Sequence, residues 1–174
     1  MKKLSYLCLL ILIITSYSCT KEVADTRLSD FTDPVITGYY QTNENGEEMG
    51  AIGIPNVKRF NGADRNHSTH FMVIYPNPAY YSFNIGMETP APSTTKKIWI
   101  TRANSVDLPI NAGFDLTMTT MVVGGSPVFQ TETNSDNIAI NVEDVEDGYY
   151  RVYVEADDII LYENLVINHA ASPY

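Results

Sequence analysis

The chain has little cysteine and little positive charge. Its 174 residues contain two cysteines, Cys8 and Cys19, both near the start. A disulfide framework needs several cysteines spread along the domain, so the rest of this chain must be held together by its apolar core. Lys and Arg number 11 against 21 Asp and Glu, for a formal charge of −10. Because an acidic chain is repelled by nucleic acid and by anionic lipid, we expect no nucleic-acid partner and no electrostatic attachment to a membrane.

Long apolar runs, helical periodicity and catalytic motifs are missing as well. No apolar run approaches the roughly 20 residues of a membrane-spanning helix, and no stretch of about ten residues repeats with the 3.6-residue period of an amphipathic helix. No Gly-x-Ser-x-Gly turn is present to carry a nucleophilic serine. No cysteine follows Cys19, and His169 lies near the end, where we expect the chain to fray. We therefore predict no catalytic site, no enzyme activity and no cofactor.

What is present begins with a signal sequence. Lys2 and Lys3 precede an apolar run over residues 4–14, and Ser18 directly precedes Cys19. A basic start, a short apolar segment and small residues before the cleavage point are the parts of a secretory signal. With a cysteine at the cleavage point, the segment resembles a bacterial lipoprotein signal. We predict a signal peptide over residues 1–18 and a lipid on Cys19; an ordinary secretory signal and an uncleaved anchor are the alternatives.

A lipid on Cys19 would attach an otherwise soluble domain to a membrane, because each buried methylene adds about 0.8 kcal/mol and several acyl chains together bind firmly. Residues 19–33 are mostly polar, so we interpret them as a flexible tether. Lys21-Glu22 resembles the charged signals that direct lipoproteins of the Bacteroidota to the cell surface. The predicted location is the outer membrane, with the periplasmic and the cell-surface face both open.

Beyond Pro34, apolar and polar residues alternate with the period of two that is typical of half-buried strands. The clearest case is residues 149–156, where Tyr150 and Val152 share the inward face while Tyr149 and Tyr153 share the polar face. Residues 159–167 return as the hairpin partner of this strand. The same pattern predicts strands over residues 35–42, 47–54, 70–75, 80–87, 97–103, 114–123, 128–133 and 137–142.

Turn residues separate these strands, as at Asn45-Gly46, where the glycine suits a hairpin turn. Many short strands without helices between them favour an all-β fold, an antiparallel two-sheet sandwich of immunoglobulin-like type, over a parallel sheet. A closed barrel is the alternative. We assign residues 34–174 to this one domain, which is long enough to bury about 70% of the surface of the unfolded chain.

The second half of the chain contains motifs of a known domain type. Residues 75–79 read Tyr-Pro-Asn-Pro-Ala, and Gly148-Tyr149-Tyr150 leads into a strand. These features resemble the C-terminal sorting domain of the type IX secretion system, which typically opens with the first motif and closes with three strands. The closing strands correspond here to residues 138–142, 145–154 and 161–167. The resemblance implies an immunoglobulin-like sandwich and a role as a targeting signal read by a secretion machine.

The Tyr-Pro-Asn-Pro-Ala motif also has a structural explanation. Pro76 and Pro78 fix their own φ angles, favour extended backbone at Tyr75 and Asn77, and remove two backbone donors where a strand ends. A lipoprotein signal and the long interval over residues 93–133 depart from the sorting-domain pattern. We therefore predict that residues 75–174 belong to the core of this protein, and a secretion role is the alternative.

Two groups of residues have side chains that bind metal ions in other proteins. Asp64, His67 and His70 are spaced by three residues, which would align them on one face of a helix. The residues around Gly62 are typical of a loop, however, so we interpret the histidines as solvated. Residues 143–148 contain four carboxylates without the ligand spacing of a calcium loop, and fit a solvated turn. We predict no metal site.

Aromatic side chains are the best indication of function. Trp99 faces away from Ile98 and Ile100, and Tyr149 and Tyr153 lie on the polar face of their strand. We take Trp99, Tyr149 and Tyr153 as candidate contacts that stack on a sugar or a protein partner; the alternative is that tyrosine simply suits strands. The predicted function is a lipid-anchored, non-enzymatic envelope module that binds a protein or a glycan. A type IX secretion targeting domain is the first alternative and an envelope hydrolase the second.

Overall fold

The computed structural model describes residues 33–106 and 125–170. Within these two ranges, no helix has the length and apolar character of a membrane span. Cys19, the predicted signal peptide and the predicted strand over residues 114–123 lie outside the described residues. The elements are a 3₁₀ turn (Arg65–His67) and the strands β1 (Val35–Ile36), β2 (Gly38–Thr42), β3 (Glu48–Gly53), β4 (Phe71–Tyr75), β5 (Ser82–Glu88), β6 (Lys96–Arg102), β7 (Asn104–Ser105), β8 (Pro127–Thr133), β9 (Asn137–Asn141), β10 (Gly148–Ala156) and β11 (Ile159–Ile167).

Seven of these strands form a two-sheet sandwich. One sheet has the order β4-β5-β9 and the other has the order β11-β10-β6-β8. All neighbours within the two sheets are antiparallel. Two packed antiparallel sheets that share seven strands in this way are the immunoglobulin-like architecture. The predicted fold class is therefore confirmed.

The core lies between the two sheets and follows the period of two. Along β10, Tyr150, Val152 and Val154 point inward, as predicted, and each is at most 4% exposed. Burial of a large apolar side chain contributes about 1.5–3 kcal/mol, so these alternating positions hold the sheets together. Their partners on the other strands include Met72, Ile74, Phe83, Ile85, Ile98, Ile100, Ile140, Leu161, Leu165 and Ile167.

Tyr150 also holds the turn that precedes β10. Its hydroxyl donates a hydrogen bond of 2.6 Å to the carbonyl oxygen of Glu146, four residues upstream. Burial raises the pKa of this hydroxyl, which keeps it in the donating form. Among the described strands of the sandwich, β10 is the sixth in chain order. A tyrosine near the start of this strand that hydrogen-bonds back to the preceding turn is the tyrosine corner of immunoglobulin-like domains. The predicted inward position of Tyr150 is thus confirmed.

Residues 34–57 lie outside the sandwich and form a partial third layer, here called the covering layer. Its β1 pairs in parallel with β7, and its β2 and β3 form an antiparallel hairpin. On β11, the side chain of Asn164 donates hydrogen bonds to the carbonyl oxygen of Gly38 at 2.6 Å and to the side-chain oxygen of Asn56 at 2.8 Å. These bonds fix the covering layer to the outer face of the four-stranded sheet.

The covering layer changes the interpretation of β10. The sequence predicts a polar, solvent-facing side, yet Arg151 and Tyr153 on that side are 0% and 1% exposed. The prediction is wrong in the middle of the strand because the Arg151 guanidinium donates to the carbonyl oxygen of Val35 at 2.9 Å, beneath the covering layer. Tyr149, at the start of the strand, is 38% exposed, as predicted.

Two short contacts occupy the outer edge of β11. Residues 58–61 cross from β11 to β4: Lys58 and Tyr162 exchange both of their backbone hydrogen bonds, and the carbonyl oxygen of Arg59 accepts from the N–H of Met72. Further along β11, the N–H of Ala79 donates to the carbonyl oxygen of Val166. The last strand is therefore bonded on both of its edges.

Asn77 accounts for the Tyr-Pro-Asn-Pro-Ala motif in structural terms. Its side chain is 1% exposed. The amide nitrogen donates to the carbonyl oxygens of Tyr40 at 2.8 Å and Asn164 at 2.9 Å, and the amide oxygen accepts from the N–H of Val166 at 3.0 Å. Asn77 thereby joins the covering layer to the last strand, which supports the structural explanation of the motif.

Candidate ligand-binding cleft

The outer face of the four-stranded sheet has three rows of side chains, each crossing several strands. The row beneath the covering layer is buried, the row farthest from it is partly or fully exposed, and the middle row lies at the boundary. The buried row consists of Thr101, Arg151 and Asn164. The middle row consists of Gln130, Trp99, Tyr153 and Tyr162, and the row farthest from the covering layer consists of Glu132, Lys97, Glu155 and Ile160.

Trp99 occupies the boundary in the middle row. Its indole is partly exposed and stacks nearly parallel on the ring of Tyr153, with ring centroids 5.1 Å apart and an interplanar angle of 10°. Tyr153 in turn contacts Tyr162, with centroids 6.0 Å apart. Such aromatic pairs contribute about 0.5–1.5 kcal/mol beyond their burial, so this row holds the indole in one orientation.

An open cleft of about 290 Å³ lies beside Trp99. The Lys97 ammonium at its rim is 3.9 Å from the carboxylate of Glu155. The cleft thus combines one aromatic ring with amide, ammonium and carboxylate groups, a combination that is typical of small-ligand sites. The residues that line it come from all four strands of the sheet and are Lys97, Ile98, Trp99, Pro127, Gln130, Thr131, Glu132, Glu155 and Ile160.

The three predicted contact residues have different positions relative to this cleft. Trp99 lines it, and Tyr153 supports Trp99 from a position where 1% of its own surface is exposed. Burial therefore rules out Tyr153 as a direct contact, which corrects that part of the prediction. Tyr149 lies four residues before Tyr153 on β10, about 13 Å away along the strand, where it pairs with Val166 outside the cleft. A contact role for Tyr149 stays a prediction.

The residues considered as a metal site do not converge. Asp64 caps the 3₁₀ turn by accepting the N–H of His67, and its carboxylate oxygen lies 2.8 Å from His67 Nδ1. His70 is buried, and its Nε2 lies 3.2 Å from a carboxylate oxygen of Asp157 instead. In the part of the chain that the structure describes, no cluster of three or more metal-ligating side chains occurs.

The acidic run over residues 143–148 forms the turn between β9 and β10. Glu146 makes an ion pair with Arg102 on β6. The backbone N–H of His169 donates to the Asp147 carboxylate at 3.0 Å and lowers the pKa of Asp147 from its ordinary value. Two of the four carboxylates therefore have structural partners in this turn.

Sequence reasoning missed a buried ion pair on the inward face of β11. Glu163 is 0% exposed, forms an ion pair with Arg59, and accepts the N–H of Ile74 at 3.1 Å. Burial raises the pKa of Glu163 to about 7, although Arg59 acts in the opposite direction. A carboxylate at an inward position between Leu161 and Leu165 is the signal that would have revealed it.

The fold and the site define an immunoglobulin-like β-sandwich with a small open cleft on one outer face. No protein-family model matches the chain, and no curated protein matches it either. Among solved structures, the chain is similar to a DUF3244 family protein with an immunoglobulin-like β-sandwich fold from Bacteroides vulgatus. The identity is 12% and the TM-score 0.37, over 63% of this chain and 95% of that chain. A likeness of this strength transfers no activity and no residue role.

Proposed function

We propose that this protein is a non-enzymatic binding module of the bacterial cell envelope, anchored by a lipid on Cys19, whose ligand binds in the cleft beside Trp99. The observation that carries the proposal is the partly exposed indole, held against the buried ring of Tyr153 with polar side chains around it. An aromatic ring that is already fixed loses little conformational freedom when a ligand covers it. The site is therefore suited to binding.

Binding fits the chemistry of the cleft better than catalysis does. None of the described residues that line it is a histidine, cysteine or serine. Its two carboxylates belong to Glu132 and Glu155. These residues lie on either side of Lys97, as its neighbours on the two adjacent strands. Amide, ammonium and carboxylate groups at such positions can hydrogen-bond a polar ligand. Hydrolysis of a bound glycan, the alternative that two carboxylates suggest, would appear as turnover in the test below.

The anchor part of the proposal is supported by the N-terminal sequence. A lipid on Cys19 and a tether over residues 19–33 would hold the start of the domain within about 50 Å of the membrane surface, since each residue extends the chain by at most about 3.5 Å. We expect Cys19→Ala to block lipidation and to move the protein from the detergent phase to the aqueous phase of a Triton X-114 separation. Mass spectrometry that finds a mature N-terminus other than acylated Cys19 would contradict the anchor.

Fluorescence can test the binding role directly, because Trp99 is the single tryptophan of the chain. The full-length lipidated protein, in detergent, would be titrated separately with envelope glycans and with envelope proteins. We expect one of these ligands to shift the Trp99 emission. In calorimetry, Trp99→Ala should lower the affinity about tenfold or more, while Tyr81→Ala, which removes an exposed ring outside the cleft, should leave it unchanged. Unchanged affinity in Trp99→Ala would contradict the site, and turnover of the ligand would contradict the non-enzymatic role.

A further inference from the structure

We propose that the ligand of the cleft is a neutral saccharide, with one sugar ring stacked on Trp99. This inference rests on the proposed binding role and names the ligand class for the same site. It follows from three properties of the cleft: which face of the indole is open, which hydrogen-bonding groups surround it, and how its volume and charge limit the ligand.

Trp99 lines the cleft together with residues of β8, and the face of the indole turned away from Tyr153 is the one turned toward β8. Trp99 pairs across the sheet with Tyr153 on one side and with Gln130 on the other. The nearly parallel ring of Tyr153 covers the first side, whereas β8 carries only the flexible amide of Gln130 at the matching position. A pyranose ring has a flat face of C–H groups, and such a face packs well on an exposed aromatic ring.

The polar groups around the indole match the edge of a sugar. Hydroxyl groups donate and accept hydrogen bonds, so a sugar needs both kinds of partner. The carboxylates of Glu132 and Glu155 accept, the Lys97 ammonium donates, and the Gln130 amide does both. All four side chains belong to strands of one sheet, which positions them more firmly than a loop would.

The size and charge of the cleft narrow the ligand further. Its volume of about 290 Å³ is at the small end of the range for ligand sites, about 300–1,000 Å³. One or two sugar rings fill such a space, while the rest of a longer glycan extends into solvent through the open side. Two carboxylates against one ammonium give the rim a net negative charge, which disfavours uronic acids and sulfated sugars.

The test uses the lipidated full-length protein in detergent, with defined oligosaccharides as probes. Xylohexaose, cellohexaose, maltohexaose and N-acetylchitohexaose represent neutral glycans, and oligogalacturonate represents anionic ones. We expect at least one neutral probe to shift the Trp99 emission and to bind with a calorimetric affinity at least about tenfold above that of oligogalacturonate. Trp99→Ala should weaken this binding about tenfold or more and Trp99→Phe less so, whereas Tyr81→Ala, which removes an exposed ring outside the cleft, should not weaken it.

Circular dichroism and the melting temperature of Trp99→Ala serve as the folding control, and Trp99→Phe keeps an aromatic ring should the alanine variant unfold. If the unmutated protein binds neither the neutral probes nor any glycan of a wider neutral array, the saccharide assignment is wrong. An envelope protein that shifts the Trp99 emission in the same assay would leave the binding role intact with a different ligand. If neither glycans nor proteins shift the emission, the proposed function fails as well.

Discussion

At the scale of single residues, buried amides do much of the joining in this protein. Asn77 and Asn164 each connect the sandwich to the covering layer through side-chain hydrogen bonds to backbone groups. An amide side chain offers both a donor and an acceptor, so one residue satisfies backbone groups from several elements. Loss of such a residue leaves buried polar groups without partners, which costs more than the lost bonds alone.

Asn77→Ala should destabilise the domain by about 3 kcal/mol, because it removes the partner of one buried and two partly buried backbone groups, and such a loss costs about 1–3 kcal/mol per buried group. The matched control is Asn84→Ala: the Asn84 side chain makes one long contact, 3.5 Å to the carbonyl oxygen of Tyr75. We expect Asn84→Ala to change stability by no more than about 0.5 kcal/mol. Urea denaturation of both variants gives the comparison, and equal midpoints would contradict the structural role of the motif.

Tyr150 and Tyr149 are neighbours with opposite environments. Tyr150→Ala should cost about 3–5 kcal/mol through lost burial and the cavity left behind. Tyr150→Phe keeps the ring and removes only the hydrogen bond to Glu146, so it should cost about 1 kcal/mol. Tyr149→Ala should cost far less than Tyr150→Ala because Tyr149 is 38% exposed. Chemical denaturation that ranks the three variants differently would reverse the face assignment of β10.

At the scale of elements, the segment over residues 58–61 connects the two sheets along one side. It bonds to β11 through Lys58 and to β4 through Arg59, and the Arg59 side chain pairs with Glu163 inside the sandwich. The Arg59 guanidinium also lies 4.0 Å from the ring centre of Tyr40 on β2. Arg59 in this short segment therefore links both sheets and the covering layer.

The buried carboxyl group of Glu163 predicts that the stability of the domain depends on pH. Its pKa of about 7 in the folded state lies above the ordinary 4.5, so between these values the folded protein holds a proton that the unfolded chain releases. Stability should fall as the pH rises from about 4.5 to about 7, by roughly 3 kcal/mol at 1.36 kcal/mol per pKa unit. In Glu163→Gln this fall should disappear. The exposed control Glu88→Gln should retain it, and melting temperatures across this pH range that fall equally in both variants would contradict the assignment.

At the scale of the whole molecule, the sandwich is built almost entirely from residues after the Tyr-Pro-Asn-Pro-Ala motif. Six of its seven strands, β5, β6 and β8 to β11, follow residue 79, and β4 ends at Tyr75. The described residues before the motif contribute β1 to β4, of which only β4 belongs to the sandwich. The covering layer needs the outer face of β11 beneath it, since its anchoring bonds end on Asn164.

Removal of residues 75–174 should therefore leave a chain that does not fold, because three or more strands with a shared apolar face are needed for an independent sheet. A protein with tags at both ends should appear in membrane fractions as one species that keeps both tags. Immunoblotting and limited proteolysis provide the measurement. A folded, surface-attached fragment that lacks the residues after Tyr75 would instead support the sorting-domain alternative.

The strands could be predicted from the sequence because their inward residues alternate, as Tyr150, Val152 and Val154 do. The covering layer could not, since its bonds join distant parts of the chain: Arg151 bonds to Val35 and Asn164 to Gly38, 116 and 126 residues apart. Alternation identifies two faces of a strand without showing whether a third layer covers one of them. For the same reason the outward position of Trp99 was predicted correctly, while the burial of Tyr153 was not.

The bonded edge of β11 has a consequence for how copies of this protein behave beside one another. Unpaired strand edges allow two molecules to join their sheets and begin an aggregate. On β11, the outward N–H and C=O groups of Tyr162 and Val166 and the C=O of Asn164 are taken by Lys58, Asn77 and Ala79. A second molecule would have to break these bonds before it could extend the sheet here. This edge is therefore protected against edge-to-edge association of sheets, even where many copies lie close together on one surface.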